Sequence, residues 1–342
     1  MNIEQLVIPP KTIAIATTYQ CTAACKNCCF GCNPKIKVRL SLQEMKNYVD
    51  QAVEYYKDSL VVLVLTGGEC FLLGNDLVEI VEYGASKGLI VRVVTNGYWA
   101  KTYQEAYDIL LNLRNTGLKE INFSTGDEHQ QWVDYENIVN GCMASMDLGL
   151  TCLINVESHD NCSFNGDRFR KDSRLIDYFD KLKYENTLGI ERGIWIPFVY
   201  NDSNISYEKI GGLNENLCQK RCNSLFTTLA ITPYSQLMAC CGLTCEYIVP
   251  FRLGDLRCKT MKELYEIQFH DFLKIWLFAE GPYFVLRHIY DKRGIDKKIT
   301  GHTCYMCAEI FKDEENIRYI QDNYSEIMPT IMFKYFLLKK TF

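Results

Sequence analysis

The sequence predicts an α/β fold: six strand–helix units built on a parallel sheet, followed by a smaller cysteine-rich α+β part. Three observations predict it. Short apolar runs alternate with stretches whose apolar residues recur every three or four positions, the two periods that separate strand from amphipathic helix. The runs are continuously apolar, as strands covered on both faces are. Three of the runs end in turn motifs, Thr66-Gly67-Gly68-Glu69, Thr95-Asn96-Gly97 and Ser124-Thr125-Gly126-Asp127. Alternation of this kind implies right-handed crossovers with helices outside. Such a fold places its chemistry at the C-terminal ends of the strands, where these motifs fall.

The first strand is expected over residues 12–17. Ser41-Leu42-Gln43-Glu44 is a capping box, and Met45, Tyr48, Val49, Ala52, Val53 and Tyr56 then mark one buried helix face. Residues 60–65 read as a strand buried on both faces, and Leu77, Ile80, Val81 and Gly84 as the next helix. A third strand spans 89–94. Thr102 and Glu105 cap a helix carrying Ala106, Leu110 and Leu113. Residues 120–124 form a strand, 135–148 a helix closed by Gly149, and 150–156 another strand. Leu175, Ile176, Phe179 and Leu182 predict a fifth helix, and the run 193–198 a sixth strand. Residues 201–215 turn polar, as a linker does.

At 342 residues and 48% hydrophobic content the chain buries a large core. A net charge of −5 without long Lys/Arg blocks argues against nucleic acid as partner. No run reaches the roughly 18 apolar residues of a membrane span, and the first residues lack the layout of a secretory signal, so a cytoplasmic protein is expected. Seventeen cysteines in a chain this long are too sparse for a disulfide scaffold and read as metal ligands. Cys142 and Cys152, in apolar periodic segments, read as buried small hydrophobes.

The organising motif is Cys21-Thr22-Ala23-Ala24-Cys25-Lys26-Asn27-Cys28, on the loop after the first strand. Three soft thiolates in eight residues suit zinc or an iron–sulfur cluster, and Cys29 and Cys32 are near enough to complete a zinc site. Together with Gly67-Gly68-Glu69 one unit later, the motif resembles the radical S-adenosylmethionine (radical SAM) superfamily. The resemblance implies a partial (βα)6 TIM-like barrel. It implies that Cys21, Cys25 and Cys28 hold a 4Fe-4S cluster with one iron open to S-adenosylmethionine, which is cleaved to a 5′-deoxyadenosyl radical that takes hydrogen from a substrate. It further implies that Gly67, Gly68 and Glu69 hold the amino group of the cofactor. Ser124, Asp127 and Asn155 lie where polar groups for its ribose or carboxylate are placed, and each also reads as a turn former or cap. Asn27 departs from the aromatic residue usual there, and Cys70 from the usual proline. His129 reads either as a substrate group or base, or as a plain loop histidine.

The second half carries Cys218-x3-Cys222, a hairpin of 225–231 and 236–240 turning at Pro233-Tyr234-Ser235, adjacent Cys240 and Cys241, and Cys304-Tyr305-Met306-Cys307. This is similar to the auxiliary-cluster extension called SPASM or twitch, with Ser235 replacing a turn glycine and Thr260 to Glu263 a further capping box. The resemblance implies one auxiliary iron–sulfur cluster held by Cys222, Cys240, Cys304 and Cys307. Cys218, Cys241 and Cys245 are alternatives, and a zinc ribbon of the same four cysteines stays open. The tail 328–342 is rich in apolar residues and reads as a docking segment.

The expected organisation is therefore a core at 1–200, an auxiliary iron–sulfur domain at 201–310 and a helical tail at 311–342. The function implied is a radical SAM enzyme crosslinking or oxidising a ribosomally made peptide. A small-molecule substrate and a non-catalytic zinc or iron–sulfur scaffold are the alternatives. The expected partners are a reducing flavodoxin- or ferredoxin-like donor and a separate leader-recognition protein.

Overall fold

The computed structural model describes residues 3–158, 162–180, 186–196 and 219–342. Leu182, the 201–215 linker, Cys218 and the end of the expected 193–198 strand lie outside them. Strands β1 (Thr12–Thr18), β2 (Val62–Gly67), β3 (Ile90–Thr95), β4 (Leu118–Thr125), β5 (Thr151–Glu157) and β6 (Leu188–Gly193) pair in parallel in chain order. The sheet is not closed. Beyond β1 it continues through β7 (Thr228–Ile231), parallel to β1, and then antiparallel through β8 (Gln236–Met238) and β9 (Arg252–Asp255). The order is β6-β5-β4-β3-β2-β1-β7-β8-β9, so the second half of the chain extends the sheet of the first.

Helices α1 (Leu42–Tyr56), α2 (Asn75–Ser86), α3 (Tyr103–Asn115) and α4 (Tyr135–Asp147) follow the first four of these strands. The Ser41/Glu44 and Thr102/Glu105 capping boxes both form, each satisfying two otherwise orphaned N–H groups at a helix start. One sheet face meets these helices. Ile13, Ile15, Leu63, Leu65, Val91, Val93, Ile121 and Phe123 on it are wholly buried. The other face differs from the expectation of strands buried on both sides: Val64, Thr66, Arg92, Glu120, Ser124 and Asn155 are only half-buried. An open barrel leaves its concave face without a covering layer, which is why polar residues are tolerated there. Arg92 and Glu120 pair across it at 2.8 Å.

The fifth unit departs furthest from the prediction. The expected helix is replaced by a short one, α5 (Asp167–Lys171), and a 3-10 turn over Ile176–Phe179. The sixth strand starts five residues early, with Leu188 paired to Cys152 and Gly193 to Glu157. Last in the sheet among the described strands, β6 does not need the apolar run of a central strand.

In the second half, Ser235 turns the β7–β8 hairpin at φ 62, the left-handed conformation usually reserved for glycine. The Thr260/Glu263 box starts α6 (Met261–Ile267). Helices α7 (Phe272–Glu280), α8 (Pro282–Arg293), α9 (Thr303–Lys312) and α10 (Glu314–Lys339) complete the fold. The apolar tail is the C-terminal part of α10. Its Ile331 and Tyr335 are buried, and the Tyr335 hydroxyl donates to the Leu6 carbonyl. Among the described residues no helix is long and apolar enough to cross a membrane.

Candidate active site

Strand β1 ends against the loop that carries Cys21, Cys25 and Cys28. The loop is folded back on itself by backbone bonds from Tyr19 to Val38 and from Cys21 to Asn33, both 3.2 Å. Cys21 is buried and Cys25 and Cys28 are half-buried. Donors already point at the sulfurs. Cys21 Sγ accepts from Ala23 N–H at 3.4 Å and lies 3.6 Å from Asn96 Nδ2 at the end of β3. Cys25 Sγ lies 3.7 Å from His129 Nδ1. Burial pushes the Cys21 thiol up to about 12, while the Cys32 thiol, donating to Cys28, holds Cys28 down near 6. Cys25 is raised by burial and then by the charges of Cys28 and Cys21. Cys28 thus raises both Cys21 and Cys25, a repulsion that a cation beside the thiolates would relieve, so the chemistry of the donor set fits a metal centre.

The β2 loop forms the second wall. Gly68 N–H donates to Thr18 O at 2.7 Å and Glu69 N–H to Gln20 O at 2.9 Å, binding this loop to the cysteine loop. The approach is close enough to exclude side chains: a Cβ on Gly68 would stand 2.2 Å from Gln20 O, and one on Gly67 2.4 Å from Thr18 O. Glu69 has no exposed surface. Its carboxylate accepts from Phe71 N–H at 3.0 Å, Thr95 Oγ1 at 2.9 Å and Asn96 N–H at 2.8 Å, and burial raises it to about 7. In this structure it braces the ends of β2 and β3, and backbone is what the double glycine offers to the site.

Ser124 and Asn155 face one another across β4 and β5 on the concave face. Asp127 instead accepts from Ser163 N–H and Oγ, both at 2.7 Å, and from Phe164 N–H at 2.8 Å, fastening the following loop. Sequence reasoning missed Glu157, the last residue of β5. It is buried, burial raises it to about 7, and it accepts from Asn27 Nδ2 in the cysteine loop. Asn27, the departure from the aromatic pattern, thus ties that loop to β5. A carboxylate at the C-terminal end of a predicted strand was the available signal.

The four cysteines expected to form a second centre come together. Cys222, Cys240, Cys304 and Cys307 line one cavity of about 480 Å³, whose wall also includes Gly242 and Arg192. A Cβ on Gly242 would lie 3.1 Å from Cys304 Sγ and 3.4 Å from Cys240 Sγ, so this position stays free of a side chain between two thiols. Burial raises Cys222 to about 11 and pushes Cys304 and Cys307 higher still, with charge repulsion among the set adding to it. Cys241 is exposed, and Cys245 is buried and accepts a hydrogen bond from the Cys240 thiol. Neither lines the cavity. Among the described residues no three Cys, His, Asp or Glu side chains meet at one point, and the four thiols stand around a space. A second cavity of about 620 Å³ is bounded by Tyr19, Phe30, Tyr234, Met238, Glu246 and Arg252.

No family model matches the chain. It is 26% identical over 132 residues to the putative peptide biosynthesis protein YydG of Bacillus subtilis (strain 168), a match covering 38% of this chain. The chain thus spans 40% of that relative's length. Among solved structures, anSMEcpe with bound AdoMet and Cp18Cys peptide aligns over 94% of this chain and 100% of its own at 15% identity and a TM-score of 0.50. BtrN in complex with AdoMet and 2-DOIA aligns over 80% of this chain and 89% of its own, at 11% identity and a TM-score of 0.46. The anSMEcpe likeness shows the fold.

Proposed function

We propose that the chain is a radical SAM enzyme that cleaves S-adenosylmethionine reductively and uses the resulting radical to crosslink or oxidise a peptide. The observation that carries this reading is the meeting of the three loop thiols with the double-glycine turn at one end of the sheet, held by the Gly68-to-Thr18 and Glu69-to-Gln20 bonds. Cys21, Cys25 and Cys28 would hold a 4Fe-4S cluster, which supplies the electron that breaks a carbon–sulfur bond of the cofactor. Gly67 and Gly68 would receive the cofactor's amino group on backbone atoms, with Glu69 fixing their position from behind. Ser124 and Asn155 are the polar groups offered to its ribose or carboxylate.

Peptide as substrate class is supported by the peptide biosynthesis relative and by the peptide in the anSMEcpe structure. A cavity of about 620 Å³ lined by Phe30 of the cysteine loop and Tyr234 of the β7–β8 turn offers such a chain room. In this reading residues 1–200 supply the radical-generating half. Residues 201–310 supply an auxiliary iron–sulfur centre on Cys222, Cys240, Cys304 and Cys307, and 311–342 a covering helix. A flavodoxin- or ferredoxin-like donor would deliver the electron, and a separate protein would present the peptide leader.

The test is anaerobic reconstitution followed by dithionite and S-adenosylmethionine, with short peptides encoded beside the gene as candidate substrates. Release of 5′-deoxyadenosine is expected, increased by the right peptide. Its absence in protein whose iron and sulfide match two clusters would leave a non-catalytic scaffold as the answer.

A further inference from the structure

We propose that His129 donates a hydrogen bond to the Cys25 thiolate of the loaded loop and so raises the reduction potential of the centre that loop holds. This rests on the reading above that Cys25 ligates an iron–sulfur cluster. Nδ1 lies 3.7 Å from Cys25 Sγ, within reach of an N–H···S bond. A ligating thiolate only accepts, so the bond fixes the tautomer with its proton on Nδ1.

The placement is built from both sides. Trp195, just past β6, meets the imidazole edge-on at 4.3 Å between ring centroids. The turn carrying His129 is anchored by Gln130 N–H to Gly126 O at 2.9 Å and by Gln130 Nε2 to Thr125 Oγ1 at 2.7 Å. Next to it, Glu128 Oε2 accepts from Lys26 N–H at 3.0 Å, joining the turn to the cysteine loop one residue from Cys25. The histidine therefore does not swing freely over the sulfur. It is fixed there by β4, by β6 and by the loop itself.

The physical consequence follows from charge. Reduction adds an electron to the cluster, and its density is shared by the ligating sulfurs. A donor aimed at one of them stabilises the reduced form more than the oxidised form, and hydrogen bonds to sulfur are among the levers that set such potentials. His129 is thus a tuning residue acting through Cys25. It need not touch the substrate.

The experiment is a redox titration followed by electron paramagnetic resonance on full-length, anaerobically reconstituted protein, comparing wild type, His129→Leu and His129→Asn. The first centre is identified as the one whose signal changes on adding S-adenosylmethionine. In His129→Leu its midpoint should move to a more negative potential, in His129→Asn part of that shift should be recovered by the amide N–H, and the auxiliary centre should not move. An unchanged first midpoint in His129→Leu, or an equal shift at both centres, overturns the proposal. A measurement without any variant guards against a leucine protein that fails to load. Wild type labelled with 15N-histidine should show a weak nitrogen coupling on the reduced first centre in pulsed spectra, and its absence also overturns the proposal. If instead Cys25→Ala leaves iron and sulfide content unchanged, the functional reading itself falls, which these potentials distinguish from a histidine that merely lies nearby.

Discussion

The two cysteine sites are made in opposite ways. The first takes its thiols from eight consecutive residues on one loop, half open at the barrel mouth and tied down by the ends of β2, β3, β4 and β5. The second gathers Cys222, Cys240, Cys304 and Cys307 from separate segments around one cavity. A centre on three thiols of one loop can present an open coordination position to another molecule, whereas one held by four thiols would be coordinatively complete. Spacing thus tells where the first site is, but only folding makes the second.

The comparison can be broken at several points. The largest effect is expected from Cys25→Ala, which should reduce 5′-deoxyadenosine release to background while auxiliary iron stays bound. Retained cleavage would remove Cys25 from the centre. Next, Cys304→Ala with Cys307→Ala should abolish product yet leave cleavage of S-adenosylmethionine within a few-fold of wild type. Because a metal clip adds its binding energy to folding, thermal unfolding should also drop by several degrees, at about 2–4 °C per kcal/mol in a domain of 150–250 residues. Normal product formation by this variant would show that these two thiols do not matter to the chemistry.

Gly68→Ala tests the second wall of the first site with a smaller change. Its Cβ would fall 2.2 Å from Gln20 O, so backbone must move, at a stability loss of about 1–3 kcal/mol. Binding of S-adenosylmethionine should weaken roughly tenfold, and unchanged affinity by calorimetry would show that the double glycine is only a turn.

The smallest effect concerns pH. Burial raises Glu69 from 4.5 to about 7, so between those values the folded state holds a proton that the unfolded state has lost. Its contribution to stability is therefore full below about 4.5 and falls as pH rises towards 7. Glu69→Gln lacks this titration, so its Tm should rise relative to wild type from pH 5 to 7 and stay level above. A pH-independent difference would show that the carboxyl ionises normally.

Much of the fold is legible because its determinants are local. The three capping boxes and the first five strands follow from residues within a few positions of one another. The sixth strand was not, because an edge strand takes its register from β5 and not from its own apolar run. At the site, the cysteine spacing and the double glycine were readable, as was the hairpin that brings Cys240 towards Cys304. The choice between Cys240 and Cys241 was not, since it depends on which neighbour faces the cavity. Nor were the Asn27–Glu157 and Cys25–His129 pairings, which join residues more than a hundred positions apart.

The central place of β1 bears on how the protein is made. Thr12 pairs with Val62 on one side and with Thr228 on the other. At a synthesis rate of about 5–20 residues per second, the second partner leaves the ribosome roughly 10–40 s after the first strand. Throughout that interval the strand bearing the cysteine loop keeps one apolar edge unpaired, the kind of edge that recruits wrong partners. A nascent chain in this condition stays open to mispairing until the β7–β8 hairpin docks on β1.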